Sequence, residues 1–156
     1  MRGKQSKPRE IKPDMIYQSP LVTRLINKIM LDGKKTTAQK IVYTSLENLS
    51  KEMKVKPIEF LKRAIKNVTP DVEVRSRRIG GANYQIPTPV SERRQVSLAI
   101  RWVVDAARSK KGTPITTSLS NELRDAYNNT GAAAKKKEDV HRMAEANKAF
   151  SHFAMR

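Results

Sequence analysis

Hydrophobic positions recur at intervals of three and four along most of the chain, the spacing of an amphipathic helix. The clearest stripe, in the second of six predicted helices, consists of Ala38, Ile41, Val42, Ser45, Leu46 and Leu49. Short connections between such helices predict that they pack against their neighbours in a bundle.

Serine, proline and glycine mark the helix boundaries. The first helix begins at Ser19-Pro20 and ends at Asp32-Gly33, and the second begins at a capping box formed by Thr36 and Gln39. The other predicted spans are residues 57–69 (opened by Pro57 and stopped by Pro70), 91–109 with Ser91 as the cap, 116–129, and a sixth helix from about Ala133. In the fourth helix we expect the buried face to hold Ala99, Trp102, Val103 and Ala106.

Residues 72–90 break the helical pattern and alternate like paired strands. The predicted β-hairpin reverses at residues 80–83, Gly-Gly-Ala-Asn, which tolerate positive φ. Pro87 and Pro89 lack N–H donors, so they must lie at the unpaired edge. This suggests that Arg77 pairs with Ile86 and Arg75 with Thr88.

The predicted fold class is therefore mainly α. We expect one domain over residues 1–156, a bundle of about six helices with a projecting two-stranded β-hairpin arm inserted between the third and fourth. Residues 1–18 are basic, and we expect a tail that is disordered until it lies along phosphates; a plain solvated terminus is the alternative.

Charge gives this scaffold its functional interpretation. Thirty-two Lys and Arg face 15 Asp and Glu, a net charge of +17. Such a chain repels itself unless a polyanion neutralises it, which favours nucleic acid first and an anionic membrane surface second. Aromatic residues make up only 5% of the chain, which argues against a membrane-binding face. There is no apolar stretch of membrane-spanning length and no signal-peptide pattern, so we expect a soluble, intracellular protein.

The sequence offers little for catalysis or metal binding. The chain has no cysteine, and His141 and His152 lack the spacing of metal ligands. Gly80-Gly81 lacks the pattern of a phosphate loop, and the adjacent Glu138 and Asp139 fit helix-dipole complementation better than acid–base work. We expect no enzyme activity, no metal and no cofactor.

Four segments resemble the bacterial form of the seventh small-subunit ribosomal protein family. They are VEVRSRRIGGANYQIPTPV, DGKKTTAQKIVY, LAIRWVVDAARSKKG and KKKEDVHRMAEANKAFSHF, and they spread over most of the chain in the family's order. The resemblance implies a six-helix bundle with a β-ribbon that binds the 3′ major domain of small-subunit rRNA. It implies a primary rRNA binder that nucleates assembly of the subunit head and lies at the subunit interface near the decoding region.

The family resemblance and the basic clusters together give the candidate rRNA-binding residues. They are Arg2, Lys4, Lys7, Arg9, Lys12, Lys34, Lys35, Arg75, Arg77, Arg78, Arg93, Arg94, Arg101, Lys110, Lys111, Lys135, Lys136 and Lys137. The resemblance also implies a side facing exit-site tRNA, with mRNA nearby, at Gly81, Ala82, Asn83, Tyr84, His141, Arg142 and Met143. The implied protein partners are small-subunit proteins nine and eleven, and we expect no functional homo-oligomer.

Two other functions remain alternatives from the sequence. An architectural DNA-binding protein could also use an arginine-bearing, proline-containing β-ribbon, inserted in the minor groove. An enzyme acting on RNA is the second alternative, since an active site can be assembled from residues distant in sequence.

Overall fold

The computed structural model describes residues 9–155, with side chains described for residues 9–152. Its helices are α1 (Pro20–Ile29), α2 (Lys35–Met53), α3 (Pro57–Val68), α4 (Glu92–Ser109), α5 (Ile115–Tyr127) and α6 (Gly131–Ala146). Strands β1 (Val72–Ile79) and β2 (Ala82–Pro89) lie between α3 and α4, and a 3₁₀ helix (Lys148–Met155) follows α6. The predicted fold class, six helices with a hairpin between the third and fourth, is confirmed.

Helix α5 is the centre of the bundle. It packs against α2, α3, α4 and α6, and its residues Leu119, Leu123 and Ala126 are completely buried. At the end of α5, Tyr127 stacks on the buried Phe60 of α3, with ring centroids 4.7 Å apart. The helices thus share one apolar core, as their sequence stripes predicted.

The buried face of α4 is wider than predicted. Ala99 and Val103 are buried as expected, but Trp102 and Ala106 are only partly buried. The additional buried residues of α4 are Leu98, Ile100, Val104 and Ala107. The difference arises because α4 contacts α1, α3, α5 and α6, so neighbours cover it from several sides.

The predicted side-chain caps do not form. Ser19 and Ser91 occupy N-cap positions, but neither side chain makes a capping hydrogen bond. The capping box at Thr36 is also wrong, because α2 begins at Lys35 with Lys34 at its N-cap.

Residues 11–18 are more ordered than the predicted tail. The buried carboxylate of Asp14 accepts hydrogen bonds from the backbone N–H of Tyr17 (2.7 Å) and of Ser19 (2.9 Å). The hydroxyl of Thr23 donates to the carbonyl oxygen of Lys12 at 2.9 Å. These contacts attach the segment to the start of α1. The expectation of a disordered tail is therefore wrong for these residues, and residues 1–8 lie outside the described part.

The hairpin forms with a register two residues away from the prediction. Arg75 pairs with Ile86 and Arg77 with Tyr84, so the predicted pairs of Arg77 with Ile86 and Arg75 with Thr88 are wrong. The turn contains only Gly80 (φ +56°) and Gly81 (φ +89°), since two glycines at positive φ suffice to reverse the chain. A shift of two residues keeps every side chain on its predicted face.

The two prolines occupy the edge that the sequence assigned to them. The N–H of Val90 donates to the carbonyl of Asp71 at 3.0 Å, which makes that pair a hydrogen-bonded one. Since hydrogen-bonded and non-hydrogen-bonded pairs alternate, Pro87 and Pro89 stand at positions that need no donor toward β1.

The base of the hairpin packs on the bundle, whereas its tip is exposed. Ile86 is completely buried, and the ring of Tyr84 lies 5.2 Å from the ring of Phe150 in the 3₁₀ helix. The N–H of Asp71 donates to Nε2 of His141 at 3.2 Å. The hairpin is therefore a ribbon supported by α6 and the 3₁₀ helix, and only its outer end projects as predicted.

Candidate nucleic-acid interface

A groove between α1 and α4 is a concave surface lined by four cationic side chains. It has a volume of about 310 Å³, and its charged lining residues are Arg24, Lys28, Arg93 and Arg101. Arg24 and Lys28 are four residues apart on α1, and Arg93 and Arg101 are eight apart on α4, so each pair follows one helix face. Its other described lining residues are Ile11, Asn27, Ser97 and Ile100, so no carboxylate is found in the described part of the lining.

This groove has the electrostatic character of a phosphate-binding site. Four like charges along two facing helices repel one another, and an anion between them removes that repulsion. A concave, cation-lined surface also raises the local concentration of anions. Arg93 and Arg101 were predicted from the sequence, whereas Arg24 and Lys28 were not.

The start of α2 adds two exposed lysines to the basic surface. Lys34 and Lys35 stand at the N-cap and first position of α2, and its first turn contains no acidic residue. Cations at this end oppose the helix dipole, so an external anion would stabilise them. Lys35 also lines a depression with the candidates Arg9 and Lys12, where the N-terminal segment crosses α1.

On the ribbon, Glu73 binds two of the predicted arginines. Its mostly buried carboxylate pairs with Arg75 and accepts a hydrogen bond from Nε of Arg94 at 2.7 Å. Burial alone would raise the pKa of Glu73, but the hydrogen bonds from Arg94 and Arg75 outweigh it and lower the pKa. The stabilisation from these pairs is therefore present above the ordinary carboxylate pKa and is lost as pH falls through the lowered value.

The other two ribbon arginines lie nearer the tip. Arg77 and Arg78 are both exposed. Within residues 9–152, Arg78 has no hydrogen bond or ion pair, so its guanidinium is available to a ligand.

The neighbours Lys110 and Lys111 have different surroundings. Nζ of Lys110 lies 3.2 Å from Oε2 of Glu122, whose side chain is 1% exposed. Oε1 of Glu122 accepts the backbone N–H of Ala133 at 2.9 Å, so this carboxylate joins the end of α4 to the first turn of α6. Lys111 is exposed and has no ion pair in the described part of the chain. We therefore assign Lys110 a structural role and keep Lys111 as a candidate contact.

The lysine triplet of α6 divides in the same way. Lys135 and Lys136 are exposed, whereas Nζ of Lys137 donates to the carbonyl of Asn67 at 2.9 Å and ties α6 to α3. The first two can reach a phosphate without breaking a contact within the described chain.

The predicted tRNA-facing residues fall into two groups. Gly81, Ala82 and Asn83 are exposed at the ribbon tip, and Tyr84 follows against Phe150. On α6, Nε2 of His141 accepts a hydrogen bond from the backbone N–H of Asp71, and Arg142 forms an ion pair with Asp139. Met143 is 46% exposed. A shallow groove separates the two groups. Its ribbon side is lined by Val72, Pro87 and Pro89, and its other side by Ala144 and Lys148.

Neither a metal centre nor a membrane span is found among the described residues. Within residues 9–155 no three His, Asp or Glu side chains cluster as metal ligands would. None of the described helices has both the length and the apolar character needed to cross a bilayer.

The fold and surface define the class as a basic helical protein with a cation-lined groove and a projecting β-ribbon. The model of the family described as "Ribosomal protein S7p/S5e" matches residues 1–148. The relatives are proteins called "Small ribosomal subunit protein uS7". Those of Fervidobacterium nodosum, Thermosipho africanus and Thermotoga maritima are 60%, 59% and 53% identical, each over 98% of this chain and 99% of the relative.

The chain belongs to the ribosomal protein S7p/S5e family. It is accordingly a structural constituent of the ribosome and not an enzyme. The expected family and the expected lack of enzyme activity are confirmed.

Proposed function

We propose that the chain is a primary rRNA-binding protein of the cytoplasmic small ribosomal subunit that binds the 3′ major domain of its rRNA. The observation that carries the proposal is the groove formed by Arg24, Lys28, Arg93 and Arg101, which has four cations and no acid among its described lining residues. Folded rRNA offers closely spaced phosphates and unstacked junction bases, and side chains cannot easily read its deep major groove. A cationic groove between rigid helices suits such a backbone.

The extent of the basic surface supports a role in assembly. Besides the groove, the exposed candidates Lys34, Lys35, Arg78 and Lys111 lie on three other parts of the fold. A rigid block with several such sites can hold more than one RNA helix and fix a junction whose phosphates otherwise repel one another. We infer that this docking nucleates formation of the subunit head.

A second surface is proposed for the decoding side of the subunit. It faces exit-site tRNA, with mRNA nearby. One part is the exposed ribbon tip at Gly81, Ala82 and Asn83, with Tyr84 beside it. The other part is on α6 and consists of His141, Arg142 and Met143. Small-subunit proteins nine and eleven are the proposed protein neighbours. This assignment is supported by family membership and by the exposure of the tip and of Met143.

Backbone-cleavage footprinting tests the rRNA assignment. The chain should protect a limited set of nucleotides at a junction in the 3′ major domain, and the variant Arg24→Ala/Lys28→Ala should lose part of that protection. Protection spread evenly over the RNA would contradict the proposal. Equal protection of duplex DNA would favour an architectural DNA-binding protein instead.

A further inference from the structure

Glu73 is a buried acidic residue that lies between two partly exposed arginines, Arg75 and Arg94. The residue is 8% exposed, and both of its carboxylate oxygens are occupied. Oε1 forms an ion pair with Arg75 of β1. Oε2 accepts a hydrogen bond from Nε of Arg94, in the first turn of α4, at 2.7 Å. The two arginine side chains remain about half exposed, at 57% and 48%.

The backbone places these groups so that one carboxylate links two elements. Glu73 and Arg75 are two residues apart on β1, so they project from the same face of the ribbon. Arg94 approaches from α4, which begins three residues after the ribbon ends. Glu73 thus fixes the base of the ribbon to the start of α4.

The arginines keep most of their donors for a ligand. A guanidinium has five N–H donors in a fixed planar fork. Arg94 uses Nε toward Glu73, which leaves its two terminal nitrogens, and Arg75 retains Nη1. A free arginine side chain loses rotamer entropy when it binds, so holding it in place before binding reduces that loss on association.

We propose that Glu73 is a positioning residue of the RNA-binding surface, which orients Arg75 and Arg94 so that together they bind phosphates of the RNA backbone. The inference rests on the proposed function, because it assumes that the bound polyanion is structured RNA. From net charge alone, removing an acid from a cationic protein should strengthen its binding to RNA. The positioning role predicts the opposite, that loss of the Glu73 carboxylate weakens RNA binding.

The test is the affinity of the full chain for a 3′ major-domain rRNA fragment after Glu73→Gln. We expect binding about fivefold to tenfold weaker, because the loss of orientation at two charge-assisted contacts outweighs the added unit of positive charge. The matched control is Glu92→Gln, which removes an exposed acid two residues from Arg94; within residues 9–152 Glu92 makes no ion pair. The control should bind the RNA as tightly as the unmodified chain or more tightly.

Two further variants separate positioning from a general effect on folding. In an Arg75→Ala/Arg94→Ala background, Glu73→Gln should cause no additional loss of affinity. Arg75→Lys/Arg94→Lys keeps every charge but not the planar forks, and it should also bind more weakly with an unchanged salt dependence. Helical circular dichroism and Trp102 fluorescence show whether each variant is folded.

Several results would overturn the positioning role. They are unchanged or tighter binding by Glu73→Gln, the same loss in the double-alanine background, or wild-type affinity in the lysine variant. Failure of the proposed function has a different signature, because the unmodified chain would then show no preference for the rRNA fragment over heparin.

Discussion

Replacing Lys110 by methionine is expected to lower the free energy of unfolding by about 3 kcal/mol, because it leaves a buried carboxylate without its cation. Glu122 is completely buried, and Nζ of Lys110 is 3.2 Å from it. This loss lies at the lower end of the range for removing one partner of a buried ion pair. The reason is that the Lys110 side chain is 37% exposed, so water already screens part of its attraction to Glu122. Urea unfolding followed by circular dichroism measures the change.

Lys111→Met is the matched control, one residue further along the chain. Lys111 is exposed and without an ion pair in the described part, so its loss should change stability by less than about 0.5 kcal/mol. The rRNA affinity of the folded protein should fall in the Lys111 variant. Equal stability of the two variants would show that the Glu122 pair does not hold α4 and α6 together.

Reversing the charge of Arg93 and Arg101 together should weaken rRNA binding by at least about a hundredfold, since like-charge contacts at an interface cost several kcal/mol. The double variant Arg93→Glu/Arg101→Glu places two carboxylates beside Arg24 and Lys28 in the groove. Loss of two phosphate contacts should also make the plot of log affinity against log salt concentration shallower by about two. A titration of the rRNA fragment at several salt concentrations measures both effects.

A second double variant with the same net charge as Arg93→Glu/Arg101→Glu tests whether the position of the reversed charges matters. Lys62→Glu/Lys66→Glu changes two exposed lysines of α3, outside the groove and outside the other candidate contacts. It should retain most of the affinity. An equal loss in both double variants would mean that binding depends on net charge alone, and the groove would not be a defined site.

The helices were predictable because their signals are local. Apolar spacing located all six, and Pro57 and Pro70 bracketed α3 to within two residues. The hairpin was also predictable from alternation and from Gly80-Gly81, but its register was not. Register depended on whether Ala82 and Asn83 joined the turn or the strand, and both are compatible with either.

The candidate site was less predictable because it depends on distant pairings. The sequence identified Arg93 and Arg101, but Arg24 and Lys28 become part of one groove only when α1 packs beside α4. The four-residue spacing of Arg24 and Lys28 indicates that they share one face of α1, but nothing in the sequence shows which element lies opposite that face. Likewise, the sequence could not show that Lys110 and Arg94 meet carboxylates 12 and 21 residues away in the chain.

We propose that this basic surface fits the shape of folded small-subunit rRNA and does not bind polyanions by charge alone, as an anion exchanger would. The most direct measurement is competition at physiological salt between a 3′ major-domain rRNA fragment and heparin matched in total charge. We predict that the rRNA fragment displaces labelled rRNA at a concentration at least about a hundredfold lower than heparin does, since specific complexes exceed non-specific ones by large factors. Equal displacement by heparin would contradict the account.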